Sequence, residues 1–509
     1  MNPIRSIRGR LDGVAHDLRS RYWEYIRYYN DGVLWDRAIL FESFNGKNFQ
    51  GNPYYLFREA LAADECAGFT IYIAHRQPED CLRFLERRGL SDARVRVILY
   101  GSAEYRKVLS HAKYLVNNVS FPMDWIKKDG QVYLNTWHGT PLKTLGRNIK
   151  NDPFELNNSQ RNMLLADILL APNVLTRRVF SEDYMLHDVM PGTLIMGGYP
   201  RNTAFFREEE RETVRRKHGL TDKTMIFYMP TWRGTASEVR RTDCVSEMER
   251  LAEELGERFA VYVKLHPAMT QGMGALRLCH PMPEEYEVYE FLNAADLLIT
   301  DYSSVYFDFA NTGRRTILYQ YDRDAYFSDR GVYPEVLEAT PYPVVETYDA
   351  LKREILSGSR TDAAAFRKTF CGMDAPDSGA VLLHSLLRRS PEPMSQQTDL
   401  YVISFPVTDG QLLRWKEQLE GQNYRFVFVP RRSNRRFSNV TCFDRIDYLS
   451  CWDGGRLIGA ERLLAGRAAA LRERKRLWGD LNVGRVFARP GRLPLPLRPG
   501  RENWPEELN

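Results

Sequence analysis

Through most of its length the chain alternates short β-branched and aromatic runs with amphipathic stretches of helix length. The runs AILF from Ala38, FTIYIAH from Phe69, VRVILYG from Val95, KYLVNN from Lys113, VYLNTWHG from Val132 and DILLAPN from Asp167 read as strands. Between them lie stretches such as PYYLFREALAAD from Pro53 and AEYRKVLSHA from Ala103, with apolar residues at helical spacing. A charged helix, FFREEERETVRRKHG, stops at Gly219. The alternation then restarts with MIFYMP from Met225, FAVYVKLHP from Phe259, DLLIT from Asp296, TILYQ from Thr316 and PVVE from Pro343. Strands that alternate with helices build parallel sheets with helices on their faces. The pattern predicts an α/β protein of two doubly wound, Rossmann-like domains, 31–205 and 206–390, facing each other across a cleft.

Two ends of the chain fall outside this pattern. The polar stretch RRSPEPMSQQTD from Arg388 leads into a further segment, 391–480, where DLYVISFPV and YRFVFVP are strand-like but nothing reads as chemistry. Residues 481–509 are basic and rich in Pro, Gly and Arg, the composition of a disordered tail. At the other end, residues 1–30 place Arg5, Arg8, Arg10, Arg19, Arg21 and Arg27 among Trp23 and several tyrosines. That mixture suits a basic amphipathic helix on an anionic membrane surface, and it also suits a solvated helix packed on the first domain.

Composition narrows the class. Of 509 residues 43% are hydrophobic and 27% charged, and no apolar run reaches the roughly 20 residues needed to cross a bilayer. The N-terminus carries charges where a signal peptide has its apolar segment, so none is expected. Seven cysteines are scattered without a CxxC pair, which argues against a disulfide framework or zinc knuckle and fits a reducing cytoplasm. A net charge of +5 is too small for this length to imply nucleic acid.

In open α/β sheets, ligands bind beyond the carboxyl ends of the strands. After VYLN come Thr136, Trp137, His138, Gly139, Thr140 and Pro141. Thr140 and Pro141 form a helix-start signal, so the sequence predicts a helix just after His138, with His138 on the lip of the cleft and Gly139 allowing close approach of a ligand. A histidine in a tight turn can serve only to bond backbone; its strand-end position favours a functional role. Arg201 follows a strand in GYPRN, and Pro230 and Thr231 follow another in YMPTWRG. After FAVYV, alternation puts Lys264 and His266 on one side with Leu265 between them, a pairing suited to a diphosphate. After LLIT, Ser303 or Ser304 caps a helix whose N–H groups suit a phosphate, and Asp308 one turn on suits a sugar hydroxyl. No Gly-x-Gly-x-x-Gly, Walker, Gly-x-Ser-x-Gly or HExxH motif is present, and the spacing of Asp322 and Asp324 is too common to assign a metal.

The ordered set NTWHGTPLKTLG, GYPRN, YMPTWRG, VKLHP, ITDYSSVYFDFA and YDRDAYFSDRGVYPE resembles the CDP-glycerol glycerophosphotransferases of teichoic acid and capsular polymer synthesis. The opening ILFESFNGKNFQGNP is similar to the family's first segment but departs from its usual ESFHGK at Asn45. The resemblance covers about 35–390 and implies the two-domain GT-B glycosyltransferase architecture, with a CDP-alcohol held mainly by the second domain. It implies donor contacts at Thr136, Trp137, His138, Gly139, Thr140, Arg201, Pro230, Thr231, Lys264, Leu265, His266, Ser303, Ser304 and Asp308.

The expected reaction is in-line attack of an acceptor hydroxyl on the donor's β-phosphorus with loss of CMP, at the cytoplasmic face of the membrane. His138 would be general base, and Lys264, His266 and Arg201 would offset phosphate charge. So many cations make a metal unnecessary, though Mg²⁺ stays open. The acceptor would be a lipid-linked or polymeric glycan. A sugar-transferring relative of the same architecture, or a nucleotide-binding membrane adaptor without turnover, are the rival readings.

Overall fold

The computed structural model describes residues 31–389 except 123–124, 126, 129, 150–156, 187–189, 191, 232–233, 236–237, 240–243 and 266–275. It also describes Tyr25, Tyr28 and four strands beyond residue 398. The first sheet has seven strands: β1 (Trp35–Glu42), β2 (Thr70–His75), β3 (Val95–Leu99), β4 (Ala112–Asn117), β5 (Val132–Asn135), β6 (Ile168–Ala171) and β7 (Thr193–Met196). Their spatial order is β3-β2-β1-β4-β5-β6-β7, and every neighbouring pair is parallel. The order reverses between β1 and β4, so the chain leaves these two strands toward opposite faces and opens a crevice at their carboxyl ends.

The second sheet repeats the design with β8 (Thr224–Met229), β11 (Phe259–Val263), β12 (His280–Pro281), β13 (Leu297–Thr300), β14 (Arg315–Tyr319) and β15 (Val344–Val345), in the order β12-β11-β8-β13-β14-β15. Its crevice lies between β8 and β13. A small hairpin, β9 (Gly234–Thr235) with β10 (Glu238–Val239), follows β8 and was not expected from the sequence. Beyond the two domains, β16 (Asp399–Ile403), β17 (Tyr424–Phe428), β18 (Ile446–Tyr448) and β19 (Val483–Gly484) form a parallel sheet in the order β18-β17-β16-β19. The sequence revealed β16 and β17 only, and β19 falls inside the segment expected to be a disordered tail.

Each domain is closed by burying both faces of its sheet. On one face of the first sheet, Ile39, Phe41, Ile71, Ile73, Val116, Leu134 and Leu170 pack against Tyr54, Leu56 and Phe57 of α1 (Asn52–Ala62). The helix Ser378–Arg388, at the end of the second domain, crosses back to join them through Leu382, Leu383 and Leu386. The Tyr114 hydroxyl donates to the Leu387 carbonyl at 3.1 Å across that crossing. A further core is shared by both domains, combining Trp137, Leu142, Phe180 and Tyr184 with Tyr302, Val305, Tyr326 and Tyr333. Burying such large side chains stabilises by about 1.5–3 kcal/mol each, so this shared core holds the crevices against one another.

Buried carboxylates reinforce the join. Glu287, at the start of Val288–Leu292, accepts from the Gly51 N–H at 3.0 Å and the Tyr55 hydroxyl at 2.9 Å, both in the first domain. Glu290 accepts from the Tyr54 hydroxyl at 3.0 Å and pairs with Arg58 at 2.8 Å and Arg88 at 2.7 Å. Burial, then the charge of Glu290, raises the Glu287 carboxyl above its ordinary range.

Candidate active site

The predicted helix after His138 does not form. Residues 137–145 run as extended chain and turn, and their backbone groups are satisfied by the second domain instead. The Leu142 carbonyl accepts from the Tyr333 N–H at 3.0 Å, the Thr144 N–H donates to the Gly331 carbonyl at 3.4 Å, and Lys143 forms a bridge with Val332. Thr140 is therefore no helix cap; its hydroxyl accepts from Asn173 Nδ2 at 2.8 Å, and Lys143 Nζ lies 5.4 Å from the centre of the Tyr326 ring.

His138 does stand at the crevice. The β1 end and the β4 end meet where the Phe44 N–H donates to Asn118 Oδ1 at 2.9 Å. The carbonyl of the same Asn118 accepts from His138 Nδ1 at 2.8 Å. That bond places the ring proton on Nδ1 and leaves the lone pair on Nε2. The imidazole is half-buried, with Trp137 tilted against it at 4.3 Å between ring centres and Phe44 edge-on at 6.0 Å. Burial, opposed by the Asn118 bond and assisted by the charge of Arg201, lowers its pKa to about 4. The protein therefore holds the ring neutral. A diphosphate entering the crevice would raise that value, because a nearby anion favours the protonated ring.

Trp137 adopts φ 51°, rare for a bulky residue. It is held there by its carbonyl, which accepts from Thr136 Oγ1 at 3.0 Å and Asn52 Nδ2 at 3.2 Å, and by Phe180 and Tyr184, each 5.8 Å from its ring. Gly139, at φ 153°, brings the two domains into contact: a Cβ there would collide with Ser304 Oγ and lie 3.4 Å from Arg201 Nη2. Gly139→Ala is therefore expected to push the His138 turn and Ser304 apart and to lower activity more than tenfold. Adding Ser304→Gly should return part of the loss; activity of the single variant equal to wild type would show that this contact does not matter.

Arg201 and Asp308 depart from their expected roles. Both are buried and their charges meet each other, Nη2 to Oδ2 at 2.7 Å, rather than facing the crevice. The second branch, Nη1, donates to the His138 carbonyl at 2.8 Å, while the guanidinium lies between Tyr199 at 4.7 Å and Tyr289 at 4.9 Å. Asp308 also accepts from the Tyr289 hydroxyl at 2.8 Å and Asn202 Nδ2 at 3.2 Å, so its acceptor sites are occupied without a sugar. Nearby Asp374 accepts from the Tyr199 N–H and from Asn202 and Asn311, and burial raises it to about 6. Together these groups hold the loop carrying Arg201 against His138.

On the second domain, Thr231 follows β8, and its N–H donates to both oxygens of Asp301, at 2.9 and 3.0 Å. Pro230 beside it is half-buried, as are Ser303 and Ser304 after β13. Ser304 precedes the short helix Val305–Phe309 but its side chain makes no capping bond, and Ser303 Oγ accepts only distantly from the Val305 N–H, at 3.4 Å. Lys264 and Leu265 follow β11, half-buried. Burial lowers the Lys264 amine below its ordinary value, with the charge of Glu287 opposing, and no carboxylate lies within ion-pair distance of it among the described residues. His266, Trp232 and Arg233 lie outside the described residues. Among the described residues no three His, Cys, Asp or Glu side chains stand together to hold a metal ion, and Asp322 accepts from the Tyr302 hydroxyl at 3.1 Å.

Residues 29–375 match the family described as CDP-glycerol:poly(glycerophosphate) glycerophosphotransferase. The chain belongs to that family. Among curated glycerophosphotransferase relatives, the teichoic acid poly(glycerol phosphate) polymerase of Staphylococcus epidermidis is 26% identical over 363 residues, 66% of this chain and 48% of that protein. The teichoic acid glycerol-phosphate transferase of Staphylococcus aureus is 27% identical over 364 residues, 66% of this chain and 89% of the relative. The chain thus spans about half the length of some curated glycerophosphotransferase relatives it matches and most of others. The solved wall teichoic acid polymerase TagF has the same fold, with a TM-score of 0.61 at 24% identity over 75% of this chain and 97% of that one. The GT-B arrangement of two domains is shared with it.

Proposed function

We propose that the chain transfers glycerol phosphate, or a similar polyol phosphate, from a CDP-alcohol to a hydroxyl of a membrane-linked or polymeric glycan, releasing CMP. The observation that carries this reading is His138: a neutral imidazole whose Nδ1 is committed to Asn118, leaving Nε2 to take a proton, set where both domains' crevices meet. The acceptor hydroxyl gives its proton to Nε2 as its oxygen bonds to the β-phosphorus, and the bond to the CMP oxygen breaks in line. Lys264 is placed to offset the charge of the diphosphate, and the Ser303 and Ser304 hydroxyls to orient its oxygens. His266 keeps its proposed role beside Lys264 on the strength of its position after β11. The polymerase and the transferase among the curated relatives support the substrate class.

The test supplies radiolabelled CDP-glycerol or a UDP-sugar, each with membranes as acceptor. Label entering polymer from CDP-glycerol is expected; incorporation from the sugar nucleotide alone would favour a glycosyltransferase and sink this reading, and binding without incorporation would favour an adaptor.

The membrane face is part of the proposal. Among the described residues no helix is long and apolar enough to cross a bilayer, and the basic segment 1–30 lies almost wholly outside them. Deleting residues 1–28 is expected to release the protein from anionic vesicles; unchanged co-sedimentation would remove that role.

A further inference from the structure

A fully buried carboxyl stands next to the turn that holds His138, and the transfer chemistry makes no use of it. Glu42 is the last residue of β1, at the point where the strand order reverses, and none of its surface is exposed. Its Oε2 accepts from the Tyr105 hydroxyl at 2.6 Å, reaching in from the helix Ala103–His111. Its Oε1 accepts from Asn117 Nδ2 at 3.1 Å, on the strand that lies beside it in register.

From Glu42 two routes lead to His138. Asn117 ends β4, and its Oδ1 accepts from the Val119 N–H at 2.5 Å, which closes the turn around Asn118. The Asn117 carbonyl accepts from the Thr136 N–H at 2.9 Å, tying that turn to the chain two residues before His138. The other route is β1 itself: Phe44, two residues after Glu42, donates its N–H to Asn118 Oδ1 and sets its ring edge-on to the imidazole. The routes meet at Asn118, whose carbonyl accepts from His138 Nδ1.

The setting favours the neutral acid over the anion. Both partners of Glu42 are uncharged donors, and among the described residues no Lys, Arg or His nitrogen lies within ion-pair distance of it. Its remaining electrostatic neighbours are Tyr133 of β5 and the more distant charge of Arg76 after β2, while its paired residue on β2 is Ala74. Burial outweighs the two hydrogen bonds and Arg76 and raises the carboxyl to about 8. The neutral acid keeps one oxygen for Asn117 and can give its proton to the Tyr105 oxygen; the anion would sit in the core without a cation.

We propose that Glu42 is a positioning residue for the base: through Asn117 and Phe44 it fixes the Asn118 carbonyl that orients His138. This rests on the transferase reading above and adds to it a second titration, opposite in sign to that of the base. Ionised Glu42 must recruit donors or water into the packed end of the sheet, so the turn shifts, the imidazole loses its orientation and kcat falls.

The test compares pH–rate profiles of the full chain and its Glu42→Gln and Glu42→Ala variants, at saturating CDP-glycerol with membranes as acceptor. Wild-type kcat should fall on the alkaline side with a midpoint near 8, by about tenfold one pH unit above it. Glutamine has the shape of the neutral acid, accepting from Asn117 through its oxygen and donating to Tyr105 through its amide. Glu42→Gln should therefore keep the acid limb and lose the alkaline one. Glu42→Ala leaves the Tyr105 hydroxyl and the Asn117 amide without their acceptor and should lower kcat more than tenfold at every pH, a loss that Glu42→Gln largely restores. An alkaline fall of the same size in Glu42→Gln, a level wild-type profile up to about pH 10, or equal losses in both variants overturns the role. If Glu42→Ala does not fold, the Glu42→Gln profile decides alone. Failure of the wild-type protein to transfer at any pH would instead strike the transferase reading, and the positioning role with it.

Discussion

His138→Ala should abolish transfer, with a fall in kcat of about a thousandfold or more, while the CDP-alcohol still binds with near wild-type affinity. The reason is the division of labour at the site. The imidazole belongs to the first domain and is held through Asn118, whereas the groups proposed for the diphosphate follow β8, β11 and β13 of the second. Removing the ring takes away the proposed proton acceptor without touching those strand ends. The pH dependence has a definite sign: a general base works unprotonated, and the pKa of His138 is lowered to about 4, so activity should rise through an acid limb and then stay level across neutrality. Bound donor moves that limb upward, so kcat should show it at higher pH than kcat/KM. Isothermal titration with a CDP-alcohol and a pH–rate profile check both parts; wild-type rates in the variant would remove His138 as base.

Arg201→Leu should be the most damaging substitution for stability. It leaves Asp308 buried with Tyr289 and Asn202 but no cation, and breaking one side of a buried pair costs about 3–5 kcal/mol. A fall in Tm on the order of 10 °C is expected for a protein of this size. Arg201→Leu with Asp308→Leu should be less destabilised than Arg201→Leu alone, since no uncompensated charge remains. Activity should fall in both, because Nη1 no longer holds the His138 carbonyl. A normal Tm with weakened donor affinity alone would instead mean that Arg201 faces the phosphates.

What the sequence made legible was local. Short β-branched and aromatic runs ending in polar residues marked β1, β5, β8, β11 and β13, and so brought His138, Thr231, Lys264 and Ser303 to strand ends before any topology was known. The failures share a cause, partners remote in sequence. The helix signal at Thr140 and Pro141 was overruled because the segment's backbone groups bond to Gly331 and Tyr333, nearly two hundred residues on. Arg201 and Asp308 looked like ligand groups because each ends a polar motif; their mutual pairing spans 107 positions and leaves no trace in either motif. Asn118 escaped notice because it acts on His138 through its main-chain carbonyl, which any residue provides. Glu287 and Glu290 did carry a signal, the three-residue spacing of a capping box, but their bonds to Gly51, Tyr54 and Tyr55 did not.

The strand orders were equally hidden, because alternation fixes neither which strands adjoin nor where the order reverses. Only the two reversals, at β1 with β4 and at β8 with β13, explain why Phe44, Asn118 and His138 share one crevice and Thr231 and Asp301 the other.

The central claim, that the two crevices together move a polyol phosphate from a CDP-alcohol to a hydroxyl, is tested most directly by mass spectrometry of the product. The purified full chain would be incubated with CDP-glycerol and a lipid-linked acceptor. The account predicts an acceptor heavier by whole glycerol-phosphate units, with one CMP released for each unit added. An acceptor of unchanged mass while CMP accumulates, or one extended only when a sugar nucleotide is supplied, would contradict it.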